Sequence, residues 1–398
     1  MMKSPFSRPL YVMAKPAGSA CNMACSYCYY LDKQRFYNPD DSRYNMSDEM
    51  LDLFVKRYFE AQTEGEVLFT WHGGETLLRP LSFYKKAMEL QKKYGGGRSV
   101  LNCLQTNGTL LTEEWCRFLR ENRWLVGLSI DGPQRFHDEY RRNRGGQPSF
   151  LKVMKAVHML NAYGVDWNAM AVVNDYNADY PEEFYDFFRS IDCNFIQFAP
   201  IVERLTPSGD IASDLESGDL ADFSVSPEQW GEFLCRLFDR WVRHDVGKVF
   251  IQIFDATLAN WCGVTPGVCS LAKECGHAGV MEYDGTVYCC DHFVFPEYRL
   301  GNIRENTFIE MMGSERQLAF GAAKHTSLPD KCRGCRWLFA CHGECPKNRI
   351  APGGVNYLCE GYRRFFEHVA PYMDFMRDEL AAGRPPANVM QSPLVQSL

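Results

Sequence analysis

The run Cys21-Asn22-Met23-Ala24-Cys25-Ser26-Tyr27-Cys28 sets three thiols at C-x3-C-x2-C spacing near the amino end. Thiolates are soft ligands suited to iron–sulfur clusters or zinc. A four-iron cube needs four ligands, and this run supplies three. A fourth iron left open can hold a small molecule through an amine and a carboxylate. The competing reading is a zinc knuckle or a set of buried free thiols. Seventeen cysteines stand in the chain, in two further groups besides: four within Cys269–Cys290 and five within Cys332–Cys359. Cys103, Cys116, Cys193, Cys235 and Cys262 are scattered and read as small core residues.

Alternating elements must position these groups. Strands are predicted near Leu10–Lys15, Val67–His72, Ser99–Gln105, Trp124–Ile130, Val165–Val173 and Asn194–Ala199, each rich in β-branched, aromatic or aliphatic residues. Helices are predicted over Ser47–Ala61, Ser82–Tyr94, Thr112–Asn122, Ser149–Tyr163 and Tyr180–Ser190, with Ser47 and Thr112 as caps. Such βα units imply an α/β fold with a parallel sheet: an open, partial (β/α)6 TIM-like barrel, or a doubly wound sheet. Residues of chemical interest follow the strands, which favours the barrel. They are the cysteine triplet, Gly73-Gly74-Glu75, Gln105-Thr106-Asn107-Gly108, Ser129-Ile130-Asp131-Gly132, Val173-Asn174 and Gln197. Ser226–His244 reads as a helix, the cysteine-rich region from about residue 262 as poor in helix and held by metal, and the stretch after Gly383 as a frayed tail. The expected divisions are 1–225, 226–261, 262–375 and 376–398.

The 398 residues carry a net charge of −7, with a pI near 5.8. An acidic surface repels phosphate backbones, so no nucleic acid partner is expected. No apolar run has signal-peptide or membrane-span length, so no membrane association is expected and the cytoplasm is the predicted compartment. In a reducing compartment, clustered cysteines point to metal rather than disulfides.

The C-x3-C-x2-C run, with Tyr27 before its third cysteine, closely resembles the signature of the radical S-adenosylmethionine superfamily. The resemblance implies that Cys21, Cys25 and Cys28 hold a 4Fe–4S cluster whose open iron takes S-adenosylmethionine (SAM), which the reduced cluster cleaves to a radical. Trp71-His72-Gly73-Gly74-Glu75-Thr76 resembles the superfamily's glycine-rich motif, whose backbone at Gly74 receives the cofactor's amino group. By the same resemblance Tyr27, Ser129, Arg141 and Val202 contact the cofactor. Arg141 suits its carboxylate, although a solvated arginine in the run Arg141-Arg142-Asn143-Arg144 is the alternative.

The later cysteines, Cys275-x9-Gly285-x4-Cys290 and Cys332-x2-Cys335-x5-Cys341-x3-Cys345-x13-Cys359, match the SPASM extension that carries two auxiliary 4Fe–4S clusters. With Cys269, eight thiolates are available. The resemblance assigns Cys269, Cys275, Cys290 and Cys345 to one cluster and Cys332, Cys335, Cys341 and Cys359 to the other, making three clusters in all. Zinc ribbons are the alternative, and Cys289 is read as a bystander. Gln105-Thr-Asn-Gly-Thr, Leu128-Ser-Ile-Asp-Gly-Pro133, Tyr288-Cys-Cys-Asp-His-Phe293 and Arg299-Leu-Gly-Asn-Ile303 resemble the anaerobic sulfatase-maturating enzymes. Those enzymes oxidise a cysteine or serine, in a C/S-x-P-x-R context of an unfolded or nascent sulfatase, to Cα-formylglycine. Reduced flavodoxin or ferredoxin is the electron donor implied by the class. Asp291 matches the family's proton acceptor; its alternatives are a surface residue or a contact to the cluster, and His277 and His292 could compete for the role.

Two rival functions remain open at this stage. A SPASM peptide maturase would form thioether or carbon–carbon crosslinks; the twenty residues before Cys21 leave no room for the leader-recognition domain many of those carry. A zinc or electron-transfer binding protein explains the later cysteines but not the three-ligand site.

Overall fold

The computed structural model describes residues 9–37, 44–63, 65–276, 278–396 and 398. All six predicted strands form, as β1 (Tyr11–Ala14), β2 (Val67–Trp71), β3 (Val100–Thr106), β4 (Leu125–Ser129), β5 (Trp167–Val173) and β6 (Phe195–Pro200). Between them run α1 (Asp48–Ala61), α2 (Leu81–Tyr94), α3 (Glu113–Glu121), α4 (Gln134–Tyr140), α5 (Phe150–Tyr163) and α6 (Pro181–Ser190). Their starts are chemically marked: Ser47 Oγ accepts from the Met50 N–H at 3.1 Å and Thr112 Oγ1 from the Trp115 N–H at 3.4 Å. Later elements are β7 (Arg204–Leu205), β8 (Asp219–Leu220), α7 (Pro227–His244), β9 (Phe250–Ile251), α8 (Gln252–Trp261), β10 (Ala278–Met281), β11 (Thr286–Tyr288) and β12 (Arg299–Asn302). The chain ends with α9 (Phe308–Met312), α10 (Glu315–Thr326), α11 (Asp330–Arg333), α12 (Leu338–Cys341), α13 (Cys359–Ala381) and α14 (Pro393–Gln396).

These elements form two compact units that do not follow chain order. One comprises residues up to Ser129, Asp138–Trp167 and Gly276–Gly321. Within it β1, β2, β3 and β4 are parallel in sequence order, which fits the radical SAM α/β class expected above. β10 then pairs parallel to the other edge of β1, with Ala14 opposite Met281, and turns back as an antiparallel β11 and β12. Strands buried on alternating or both faces pack on an aromatic core that includes Phe54, Tyr58, Phe69, Trp71 and Tyr84.

In the other unit β5 and β6 are parallel and β9 extends β6. Helix α7 starts with a capping box between Ser226 and Gln229. It meets α13 at two glycines: a Cβ at Gly361 would stand 2.3 Å from the Pro227 carbonyl oxygen and 3.0 Å from the Gly231 nitrogen. The cysteine-rich region holds more helix than its sequence suggested, because α13 runs 23 residues from its last cysteine with an apolar face of Tyr362, Phe365, Phe366, Val369 and Met373. The stretch after Gly383 is folded rather than frayed. Glu379 accepts from Arg384 Nε at 3.0 Å and from Asn388, and Val389 is fully buried.

Candidate functional site

In the first unit the cysteine run follows β1 and is stitched to its neighbours by backbone. Gly74 N–H donates to Gly18 O and Glu75 N–H to Ala20 O, both at 2.7 Å. A Cβ on Gly74 would lie 2.0 Å from the Ala20 oxygen, so the glycine is required by this close approach. Glu75 is fully enclosed and accepts from Thr106 Oγ1 at 2.6 Å and from the Asn107 N–H at 2.8 Å. Asn107 Nδ2 in turn donates to Asn22 Oδ1 at 2.9 Å and lies 3.8 Å from Cys21 Sγ. The opposite side of the loop is tied by Ala24 N–H to Arg142 O at 2.8 Å, and Arg144 Nε to Cys21 O at 2.7 Å. Thus GGE and QTNG serve the loop as supports, whatever else they touch.

Tyr27 is buried, its ring 5.7 Å from that of Tyr140, with the Arg141 guanidinium 5.5 Å from the Tyr27 centroid. Arg141 is 8% exposed, unlike the solvated arginine of the alternative reading. Ser129 Oγ accepts from Gln105 Nε2 at 3.0 Å at the end of β4. Val202 lies in the second unit, buried, its carbonyl accepting from Lys347 Nζ at 2.9 Å.

The β10–β11 hairpin carries Asp291 to the end of β1. There Lys15, the residue after β1 and 0% exposed, places Nζ 2.5 Å from Asp291 Oδ1. Tyr29 OH donates to Asp291 Oδ2. Burial alone would push the Asp291 carboxyl up, but the Lys15 ammonium beside it holds it well below the usual carboxylate range. His72, the residue after β2, accepts at Nδ1 from the Gly73 N–H at 2.8 Å and faces Lys15 Nζ at 3.1 Å. Burial, reinforced by Lys15, lowers its pKa to about 3, so His72 is a far weaker proton acceptor than an ordinary imidazole. His292 packs its ring 5.0 Å from Tyr29. His277 lies outside the described residues. A second carboxylate, Glu282, accepts from Tyr30 OH and from Tyr37 OH, the latter at 2.7 Å, and burial lifts it to about 7. Lys15 caps this group through the Tyr30 ring, 4.1 Å away.

Lys15, His72 and Tyr29 were missed from sequence. The same rule that flagged Gly73 and Ser129, a polar residue next to a strand's C-terminal end, points to the first two.

In the second unit Cys332, Cys335, Cys341 and Cys359 line one cavity of about 380 Å³. Lys324 and charge coupling among Cys269, Cys275 and Cys345 mark another thiol group. None of the cysteines is in a disulfide among the described residues. Burial, with Glu344 beside them, pushes the Cys341 and Cys345 thiols up to about 12, and burial with Glu75 does the same for Cys21. A thiolate so placed is stabilised by an adjacent cation, and soft thiolate donors suit iron. Cys289 is fully buried in the hairpin whereas Cys290 is half-buried.

Residues 16–188 match the radical SAM superfamily and residues 274–336 an iron-sulfur cluster-binding domain. The chain is 64% identical to a serine-type anaerobic sulfatase-maturating enzyme of Bacteroides thetaiotaomicron, over 98% of this chain and 96% of that one. It is 33% identical to a cysteine-type anaerobic sulfatase-maturating enzyme of Clostridium perfringens, over 91% and 97%. The solved structure of native anSMEcpe with bound AdoMet and Cp18Cys peptide superposes with a TM-score of 0.83 at 33% identity, covering 93% of this chain and 99% of that one.

Proposed function

The chain belongs to the anaerobic sulfatase-maturating enzymes of the radical SAM superfamily, and from that premise we propose how its residues divide the reaction. It oxidises a cysteine or serine of a sulfatase to Cα-formylglycine without oxygen. When bound, SAM and the 4Fe–4S cluster supply the radical that takes a hydrogen atom from the client's Cβ, and auxiliary clusters supply an electron sink. With serine as client, one hydrogen atom, one proton and one electron leave, and the side chain becomes an aldehyde.

Cys21, Cys25 and Cys28 ligate the first cluster. Gly74, Tyr27, Ser129, Arg141 and Val202 bind the cofactor, Arg141 gripping its carboxylate. Asp291 takes the proton from the client's hydroxyl or thiol. The observation that carries this assignment is its ion pair with fully buried Lys15, which keeps the acceptor unprotonated and aimed while Tyr29 fixes its second oxygen. Protonation of Asp291 leaves Lys15 without its counterion, so the ion pair favours return of Asp291 to its ionised form after turnover. Cys269, Cys275 and Cys345 serve one auxiliary cluster, which Cys290 joins by its motif position. Cys332, Cys335, Cys341 and Cys359 serve the other.

Serine is the proposed client residue, on the 64% identity to a serine-type enzyme against 33% to a cysteine-type one. Reduced flavodoxin or ferredoxin delivers the electron, and the client is met unfolded in the cytoplasm. Among the described residues no helix is long and apolar enough to cross a membrane. The test is anaerobic reconstitution with paired serine and cysteine peptides of one sulfatase, read by mass spectrometry and a carbonyl-reactive hydrazide. Aldehyde from the serine peptide at least as fast as from the cysteine peptide is expected. Turnover of the cysteine peptide alone overturns the serine preference, and a two-hydrogen loss with no hydrazide adduct marks a crosslink instead.

A further inference from the structure

Lys324 lies near the end of α10 and is 0% exposed. Its Nζ donates to the carbonyl oxygens of Cys269 and Ser270, the second at 2.7 Å. Its charge faces Glu344 first, and then the thiols of Cys275, Cys345 and Cys269. Glu344 is itself buried, accepting from Asn356 Nδ2 at 2.6 Å and Asn348 Nδ2 at 3.4 Å. Arg349 donates to the Lys324 carbonyl at 2.6 Å and completes the surroundings.

Two carbonyl oxygens could be satisfied by a neutral amide. A buried ammonium instead carries a desolvation cost of several kcal/mol unless negative charge faces it. Four thiolates around an iron–sulfur cube leave the cluster negative, and each reduction adds one more negative charge. Net charge, hydrogen bonds and burial set such a cluster's potential. A cation fixed at its edge, shielded from water, therefore favours the reduced form. Two of the cations lining the Cys332–Cys359 cavity differ: Lys331 and Arg363 have side chains 53% and 51% exposed and share Glu360, so solvent and salt screen them.

We propose that Lys324 is a tuning residue that raises the reduction potential of the auxiliary cluster bound by Cys269, Cys275 and Cys345, easing its acceptance of the client's electron. This rests on the ligand assignment proposed above. The experiment uses the full chain, anaerobically reconstituted, with Cys21, Cys25 and Cys28 all changed to alanine so that only auxiliary signals remain. EPR-monitored redox titration then compares Lys324 with Lys324→Gln, Lys324→Met and Lys324→Arg. At the parent's midpoint, the neutral variants should show a reduced-to-oxidised ratio about tenfold lower, a fall of about 59 mV for a one-electron couple. Lys324→Arg should stay near the parent, and the second auxiliary signal should not move. An unchanged midpoint in iron-replete Lys324→Gln and Lys324→Met overturns the proposal. Loss of that cluster from both also overturns it, since Lys324 is then needed for assembly. A parent that binds no auxiliary iron sinks the ligand assignment instead, before any Lys324 variant is titrated.

Discussion

Lys15→Met removes one cation and keeps most of the stem's volume, so it isolates the charge at the site. Lys15 Nζ is 2.5 Å from Asp291 Oδ1, with the two side chains 0% and 17% exposed. Breaking a buried pair from one side typically costs about 3–5 kcal/mol. At about 1.36 kcal/mol per pKa unit, that is roughly two to four units of upward pressure on the Asp291 carboxyl. Burial already pushes the same way. The variant's carboxyl therefore moves from below the ordinary range up into it or slightly beyond. The sign matters: a depressed carboxyl stays ionised, and its pair stays intact, until pH falls below ordinary carboxylate values. In the variant that loss begins closer to neutrality. The assay is the ratio of formylglycine to 5′-deoxyadenosine between about pH 5 and about pH 8, a range in which an ordinary carboxylate stays ionised. The parent ratio should be flat on the acid side, while in Lys15→Met it should fall severalfold as pH drops. A variant with the parent's yield and a flat acid limb would refute the claim that Lys15 holds the proton acceptor ready.

Asp291→Asn should still release 5′-deoxyadenosine but lower formylglycine by about a hundredfold or more, the usual span for a lost general base; full aldehyde yield removes Asp291 from the mechanism. Gly74→Ala would press a Cβ to 2.0 Å of the Ala20 oxygen and distort the Cys21 loop. Reconstituted iron should drop by about a third, from about twelve to about eight per chain, with the auxiliary signals kept. Retention of all the iron would show that the loop can yield. Gly361→Ala forces α7 and α13 apart at the Pro227 carbonyl and should cost about 1–3 kcal/mol, read as a lower urea midpoint. An unshifted midpoint would mean the helices can slide without loss.

Local pattern was enough for the six strands and five main helices of the βα units. Period-two and period-3.6 burial is written into contiguous residues, and caps such as Ser47 and Thr112 mark the starts. Pairing between distant segments was not visible. Ala278–Met281 is too short to announce itself as a strand, and nothing nearby says that its partner is Tyr11–Ala14. The helical tail of the cysteine region was hidden for another reason. Attention to the thiols masked an amphipathic repeat from Tyr362 to Met376. At the site, motif spacing pointed to the cysteines, and the family resemblance alone pointed to Asp291. Lys324 belongs to no motif, Lys15 follows a strand without one, and His72 sits in the glycine-rich motif without a role of its own; their partners show only in the folded contacts.

The strand that delivers Asp291 sits beside β1, although more than 260 residues separate them. During synthesis the amino-terminal cysteines thus emerge from the ribosome long before the sheet edge next to them can be filled. Until residue 281 has been made, β1 offers open backbone donors and acceptors on that flank, an invitation to mispairing that slow, long-range closure prolongs. A prematurely terminated chain would retain the amino-terminal cysteine run proposed to hold the first cluster yet lack the aspartate proposed as proton acceptor.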